Sequence, residues 1–137
     1  MTFFDTHAHY DDQRFDADRD EILRALPGYN VGLVLNPGCD LESSRKAVSY
    51  AETYPHVYAA VGYHPENIDG VPDAEAEAGL KEIEALAAHP KVRAIGEIGL
   101  DYYYDFNPRE LQRFWFRQQL RLAEEVKMPV VIHSRDA

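Results

Sequence analysis

The sequence predicts a parallel α/β fold, in which strand and helix alternate four times and a fifth strand follows. Three observations carry this prediction. Short runs rich in Val, Ile, Leu and Phe start near residues 3, 31, 57, 92 and 129. Between them lie stretches whose apolar residues recur at helical spacing. Capping side chains, Pro and Gly bound those stretches. Regular alternation of this kind means parallel strands joined by right-handed crossover helices.

The first strand begins near Thr2 and runs into His7-Ala-His9. In an extended segment residues i and i+2 point to the same side, so both imidazoles can reach one ion. Two unrelated surface histidines are the other reading. Asp5 is either a buried hydrogen-bond acceptor or part of a site. Asp16 is expected to cap a helix over residues 17–26, with Ile22, Leu23 and Leu26 inward and Pro27-Gly28 ending it. Residues 30–35 read as the second strand, and Asn36-Pro37-Gly38 as the turn after it. Asp40 is expected to cap a helix over residues 41–54, with Ala47, Val48 and Ala51 inward and Pro55 as the stop.

Residues 57–61 form the third strand, and His64 lies just past its end. A loop through Gly70 and Pro72 leads to Asp73, which can cap a third helix carrying Ala76, Leu80, Ile83 and Ala87. His56 and His89 precede strand starts, at the opposite end from His64, and read as surface residues. The fourth strand covers residues 92–96 and ends at Glu97, with Asp101 and the run Tyr102-Tyr103-Tyr104 following. Asn107-Pro108-Arg109-Glu110 predicts a helix start: a capping side chain, Pro at the first helical position, and Glu three after the cap. That helix is expected to reach residue 127 with Leu111, Phe114, Gln118, Leu122 and Val126 along one side. Residues 129–132 form the fifth strand, which ends in His133.

The 137 residues suffice for one compact domain, expected to span residues 1–137. An apolar content of 45% argues against disorder. The chain has no apolar run long enough for a membrane span. Its N-terminus lacks the basic start and apolar stretch of a signal peptide. The lone Cys39 leaves no internal disulfide, and reads as a small residue in a turn. A cytoplasmic location is expected. The net charge of −10 repels polyanions at long range and counts against a generic nucleic-acid binder. It does not exclude a nuclease, because bound divalent cations invert the local sign of a site.

The chemistry-bearing residues gather after strands one, three, four and five, which is the habit of a (β/α)8 barrel. A Gly-x-Gly-x-x-Gly turn and a Gly-Lys-[Ser/Thr] motif are both absent, so nucleotide-binding versions of the fold are not supported. An ionised Glu97 at the end of a buried strand is costly unless paired, and a metal ion is one such partner. Glu97 is therefore the central candidate ligand, with His7, His9 and His133 as the others. Zinc accepts imidazole and carboxylate, whereas manganese and magnesium prefer more oxygen. Three histidines and one Glu can start a two-metal site, with Glu97 bridging ions about 3.5–4 Å apart. Serine, lysine and cysteine nucleophiles have no signature here.

Four segments are recognisable together: Phe4-Asp-Thr-His-Ala-His-Tyr10, Gly62-Tyr-His-Pro65, Ile95-Gly-Glu-Ile-Gly-Leu-Asp-Tyr102 and Pro129-Val-Val-Ile-His-Ser-Arg-Asp-Ala137. In this order and spacing the chain resembles the TatD family of metal-dependent deoxyribonucleases, within the amidohydrolase-like barrels. The resemblance implies a TIM-like barrel and two divalent metal ions (Zn, Mn or Mg). It also implies hydrolysis of DNA phosphodiester bonds, often as 3′ to 5′ exonuclease action on a transiently bound strand. By it His7 and His9 would hold one metal, Glu97 would bridge, and His133 would hold the second. His64 would line the site near the scissile phosphate as a catalytic residue. Arg135 is assigned to a phosphate contact because its planar fork suits phosphate. A salt bridge to a neighbouring carboxylate such as Asp136 is the other reading. The tyrosine run is expected to pack on the helix after Pro108, with base stacking as the alternative.

A barrel takes about 250 residues, and this chain holds only the first five strands. The family continues with three more, which supply a further His ligand and an Asp ligand. A fragment of a longer protein is the favoured expectation. A second copy completing the barrel and a decayed half-barrel without activity are the alternatives. An open five-stranded sheet would leave an apolar edge and an apolar concave face, so self-association is expected if the chain folds alone. Two other functions compete: an amidohydrolase cleaving a C–N or ester bond of a small molecule, and a non-catalytic binding module.

Overall fold

Successive residues of a strand point to opposite faces, and that alternation sorts the apolar side chains of this protein into two layers. The computed structural model describes residues 1–68, 73–104 and 106–137. Five strands form one sheet in chain order: β1 (Phe3–Asp5), β2 (Val31–Pro37), β3 (Val57–Val61), β4 (Val92–Asp101) and β5 (Val130–Arg135). Every neighbouring pair is parallel. Four helices connect them: α1 (Arg19–Ala25), α2 (Leu41–Thr53), α3 (Asp73–Ala87) and α4 (Arg109–Glu125). Val34, Val57, Val61 and Ile95 point from the sheet into one core shared with Leu23 of α1, Ala47 of α2, Ile83 of α3 and Trp115 of α4. This is the expected α/β arrangement of the first five strands of a TIM-like barrel.

Leu35, Ala60 and Ala94 take the opposite face of the sheet, flanked by Tyr58 and Val131. That face opens as a groove of about 590 Å³. Phe4, Leu33 and Ile132 line it and are 52%, 41% and 53% exposed. The apolar concave face expected of a partial barrel is therefore present.

Several local expectations are corrected. Asp16 does not cap α1. Asp12 caps a 3-10 turn over Gln13–Phe15, α1 starts only at Arg19, and Asp16 pairs with Arg19 at 2.6 Å. The helix passes into a second 3-10 turn, Leu26–Tyr29, which Asn30 closes in the left-handed region. Asp40 behaves as expected: it accepts from the Ser43 N–H at 2.7 Å, and the Ser43 side chain completes a capping box. The loop expected through Gly70 and Pro72 lies outside the described residues, as do the side chains at 73–75.

In α4 the expected cap is displaced. Pro108 takes the N-cap position, and the buried Asn107 side chain donates to the Pro65 carbonyl at 2.9 Å. The buried stripe is Gln112, Trp115, Gln119 and Leu122. Leu111, Phe114 and Gln118, expected inward, are only half-buried. The stripe is rotated because Gln112 bonds to the backbone of Asp101 in β4 and Gln119 to that of Tyr63, two residues past β3, a gain that apolar periodicity does not register.

Strands β4 and β5 are longer than expected. Glu97 and His133 lie within them rather than after their ends. Gly96 and Gly99 allow this, with φ of 157° and 150°. A Cβ at Gly99 would overlap the His133 main chain, and one at Gly96 would lie 2.7 Å from the Val131 Cβ. His56 and His89 are half-buried: His56 Nε2 donates to the Leu23 carbonyl at 2.8 Å, and His89 Nε2 is 3.2 Å from Glu52.

Candidate metal centre

The segment after β1 carries the His-x-His pair and is held by β2. Ala8 N–H donates to the Leu35 carbonyl at 3.2 Å. Asn36, fully buried, accepts from the Tyr10 N–H at 2.7 Å and donates to Asp11 Oδ1 at 2.9 Å. Both histidines therefore fall beyond the strand, not within it, yet they still face one another. Their Nε2 atoms are 3.1 Å apart.

Glu97 sits where the β4–β5 pairing lapses between Ile95 and Ile98. Its N–H turns to the Gly38 carbonyl at 2.8 Å, and the residue is 5% exposed. The two carboxylate oxygens divide between two sets of partners. Oε2 lies 3.1 Å from His7 Nε2 and 3.2 Å from His9 Nε2. Oε1 lies 3.1 Å from His133 Nδ1. The other nitrogen of His133, Nε2, is 2.8 Å from Asp101 Oδ2. Asp101 is itself buried, and its Oδ1 accepts from the N–H groups of Tyr103 and Tyr104 at 3.0 and 3.3 Å.

His64 is buried and joins the second set. Its N–H donates to the Cys39 carbonyl at 2.8 Å, and its Nδ1 accepts from the Glu66 N–H at 3.2 Å. Among the described residues Nε2 has no hydrogen-bond partner, and His64 lines the cleft. The His64 and His133 rings meet edge to face at 4.2 Å. Two donor groups result, His7/His9/Glu97 and His64/Glu97/His133, each with its ligand atoms within 4.8 Å of one another.

The electrostatics follow from this crowding. Burial pushes the Glu97 carboxyl up, but the hydrogen bond from His9 and the imidazoles around it bring it down to about 2. The His9 imidazole is raised, chiefly by the same hydrogen bond. Burial, aided by the neighbouring His133, pushes His64 down to about 4. Burial also opposes ionisation of Asp101, yet the His133 hydrogen bond and two peptide N–H groups hold it below the usual range. Glu66 is raised by burial and by its hydrogen bond with Asp101. Burial lifts the Cys39 thiol to about 12, so it is not poised as a nucleophile.

The donor set fits divalent metal. Two imidazole nitrogens and a carboxylate oxygen converge at 3.1 to 3.2 Å, close to the roughly 3.3 Å that separates two ligands on tetrahedral bonds of ~2 Å. Lone pairs converging in this way repel unless a proton or a cation lies among them, and one divalent ion would satisfy all three at once. On the other side, the Asp101–His133 contact repeats the carboxylate–histidine pairing that orients metal-bound imidazoles.

All six residues singled out from the sequence, His7, His9, His64, Glu97, His133 and Arg135, line one open cleft of about 540 Å³. Arg135 does not take Asp136 as its ionic partner. Its Nη1 is 3.9 Å from Asp101 Oδ2, and its guanidinium lies over the Tyr103 and Tyr104 rings. The tyrosine run divides: Tyr102 packs beneath Arg109 and Arg113 of α4, while Tyr103 and Tyr104 are exposed. Sequence reasoning read Asn36 as a turn residue, whereas it lies buried within β2, did not single out Gln112 and gave Asp101 no role, because a buried polar residue in a strand or helix carries no local pattern. The only available signal was polar type at otherwise apolar positions.

The chain is similar to known proteins over nearly its whole length. Residues 4–137 match the family described as TatD related DNase. A Bacillus subtilis protein named uncharacterized metal-dependent hydrolase YabD is 40% identical over 134 residues, covering 98% of this chain and 51% of that protein. The 3′-5′ ssDNA/RNA exonuclease TatD of Escherichia fergusonii is 39% identical, with 98% and 50% covered. The crystal structure of YjjV, a TatD homologue from Escherichia coli K12, superposes with a TM-score of 0.86 at 34% identity, covering 98% of this chain and 51% of that one. The chain spans about half the length of the curated relatives it matches. With its fold and nearly its whole length matched, the chain belongs to the TatD-related DNase family of metal-dependent hydrolases.

Proposed function

We propose that the complete protein hydrolyses phosphodiester bonds of DNA from a strand end, and that residues 1–137 are one domain supplying half of its metal centre. The observation that carries this is the division of Glu97, with Oε2 toward His7 and His9 and Oε1 toward His133. A carboxylate placed so can bridge two ions. His7 and His9 would hold the first and His133 the second, with Zn, Mn or Mg as candidates. His64 stands where it can complete the second donor group or face the scissile phosphate. When bound, divalent ions supply Lewis-acid polarisation of a phosphoryl oxygen and offset its charge.

The protein's own groups supply the rest. Asp101 accepts from His133 Nε2 and so leaves Nδ1 as the nitrogen turned to the centre. Arg135, 43% exposed at its side chain, presents a planar fork to a phosphate entering the cleft. The depressed Glu97 carboxyl stays ionised across the neutral range, as a bridging ligand must. Among the described residues no helix is long and apolar enough to cross a membrane. We place the protein in the cytoplasm, where its free Cys39 would stay reduced.

An acidic chain with net charge −10 favours a second reading, an amidohydrolase acting on a small C–N or ester substrate. Metal titration of the purified chain by calorimetry, with His7→Ala and Glu97→Ala as controls, tests the centre. Binding that both substitutions abolish is expected, and binding that neither changes would remove the assignment. A substrate panel with the complete protein separates the two chemistries. Mononucleotide release from DNA supports the nuclease, and turnover of cyclic amides or lactones with inert DNA supports the alternative.

A further inference from the structure

The cleft has a rim that the metal ligands do not explain. Tyr103, Tyr104 and Phe106 follow β4 and are 62%, 46% and 60% exposed. Their rings are nonetheless ordered against one another. Tyr103 meets Tyr104 edge to face at 4.8 Å, and Tyr104 lies parallel to Phe106 at 5.1 Å with 1° between planes. The Arg135 guanidinium is 5.2 and 4.9 Å from the Tyr103 and Tyr104 centroids. Tyr104 and Arg135 line the same cleft as His7, His9, Glu97 and His133. Arg109 and Arg113 flank Tyr102 at the adjoining start of α4. Arg135 and Arg113 are paired with Asp101 and Glu110, so these guanidinium groups stand among carboxylates beside exposed aromatic surface.

We propose that Tyr103, Tyr104 and Phe106 form a stacking platform for unpaired bases of a single-stranded nucleic acid whose backbone reaches the metal centre past Arg135. This rests on the nuclease reading above and adds a base-binding subsite to it. Aromatic faces beside cationic side chains are what a single strand requires: every base offers a π-face, and the arginines meet its phosphates. Paired bases within a duplex have both faces already stacked, so the platform selects unpaired ends. A protein partner with an apolar face fits less well, because three guanidinium groups interrupt the patch.

The test is fluorescence anisotropy with the full 137-residue chain and Mg²⁺. One probe is a labelled single-stranded phosphorothioate oligothymidylate. The other is the same strand with abasic sites at its 3′-terminal positions. Wild type should bind the intact strand about tenfold more tightly than the abasic one. Tyr104→Ala and Phe106→Ala should bring that ratio toward one, and Tyr104→Trp should keep it. A ratio near one in wild type, with both strands bound, would overturn the platform and leave the nuclease reading standing. A ratio retained in both alanine variants would overturn it equally. Failure to bind either strand would overturn the platform alone, since the nuclease reading concerns the complete protein and is tested by its mononucleotide release.

Discussion

Gln112 and Asp101 exchange two hydrogen bonds: the Asp101 N–H donates to Gln112 Oε1 and Gln112 Nε2 donates to the Asp101 carbonyl, each at 2.8 Å. Gln119 grips Tyr63 in the same manner, at 2.7 and 3.0 Å. Each glutamine amide stands in for a strand neighbour. Helix α4 thereby clamps the ends of β3 and β4, beside His64 and at Asp101, where the sheet would otherwise leave peptide groups unpaired. Gln112→Leu should cost about 1–3 kcal/mol, because it strands a buried donor and acceptor. Gln118→Leu, on the same helix without such bonds, should change little. Urea unfolding of both variants checks this.

Asp101 should matter through His133. Asp101→Asn keeps the shape but weakens the acceptor opposite Nε2. Metal affinity should fall about 10–100-fold with the fold intact. Calorimetric titration reads the affinity, and nitrogen-15 NMR of the imidazole reads the ring tautomer. An unchanged tautomer and affinity would remove Asp101 from the positioning role.

Cys39 should make the metal-free chain sensitive to alkali. Burial raises its thiol from an ordinary 9.0 to about 12. The folded state thus keeps a proton that the unfolded state releases, so stability falls as pH rises through that interval and is unaffected below it. Cys39→Ala should flatten the loss between pH 9 and 12. Alkylation by iodoacetamide at pH 8 should be much slower in the native chain than in urea.

The open face should drive association of the isolated chain. Phe4, Leu33 and Ile132 expose apolar surface along the groove on the concave side. Light scattering should report species larger than a monomer. Ile132→Lys with Phe4→Lys should shift them toward the monomer, because an edge charge opposes strand and face pairing. A stable monomer in the unsubstituted chain would contradict the expectation.

Much of this molecule was legible as sequence for local reasons. Strand and helix order follows from periodicity and punctuation, as at Asp40, whose cap depends only on Ser43 three residues on. The candidate ligands were legible because a lone carboxylate in a buried strand is costly, which marked Glu97, and because His7, His9 and His133 stand at or past strand ends. The tertiary structure decided what depends on distant partners. Glu97 lies within β4 because Gly96 and Gly99 admit the β5 backbone and its N–H finds Gly38. Asn107 left its capping role for the Pro65 carbonyl, 42 residues away in the chain. The inward face of α4 was set by two glutamines bonding to strand ends, not by its apolar repeat. A long-range hydrogen bond to buried backbone outweighs a local preference worth less, and no window of neighbouring residues contains it.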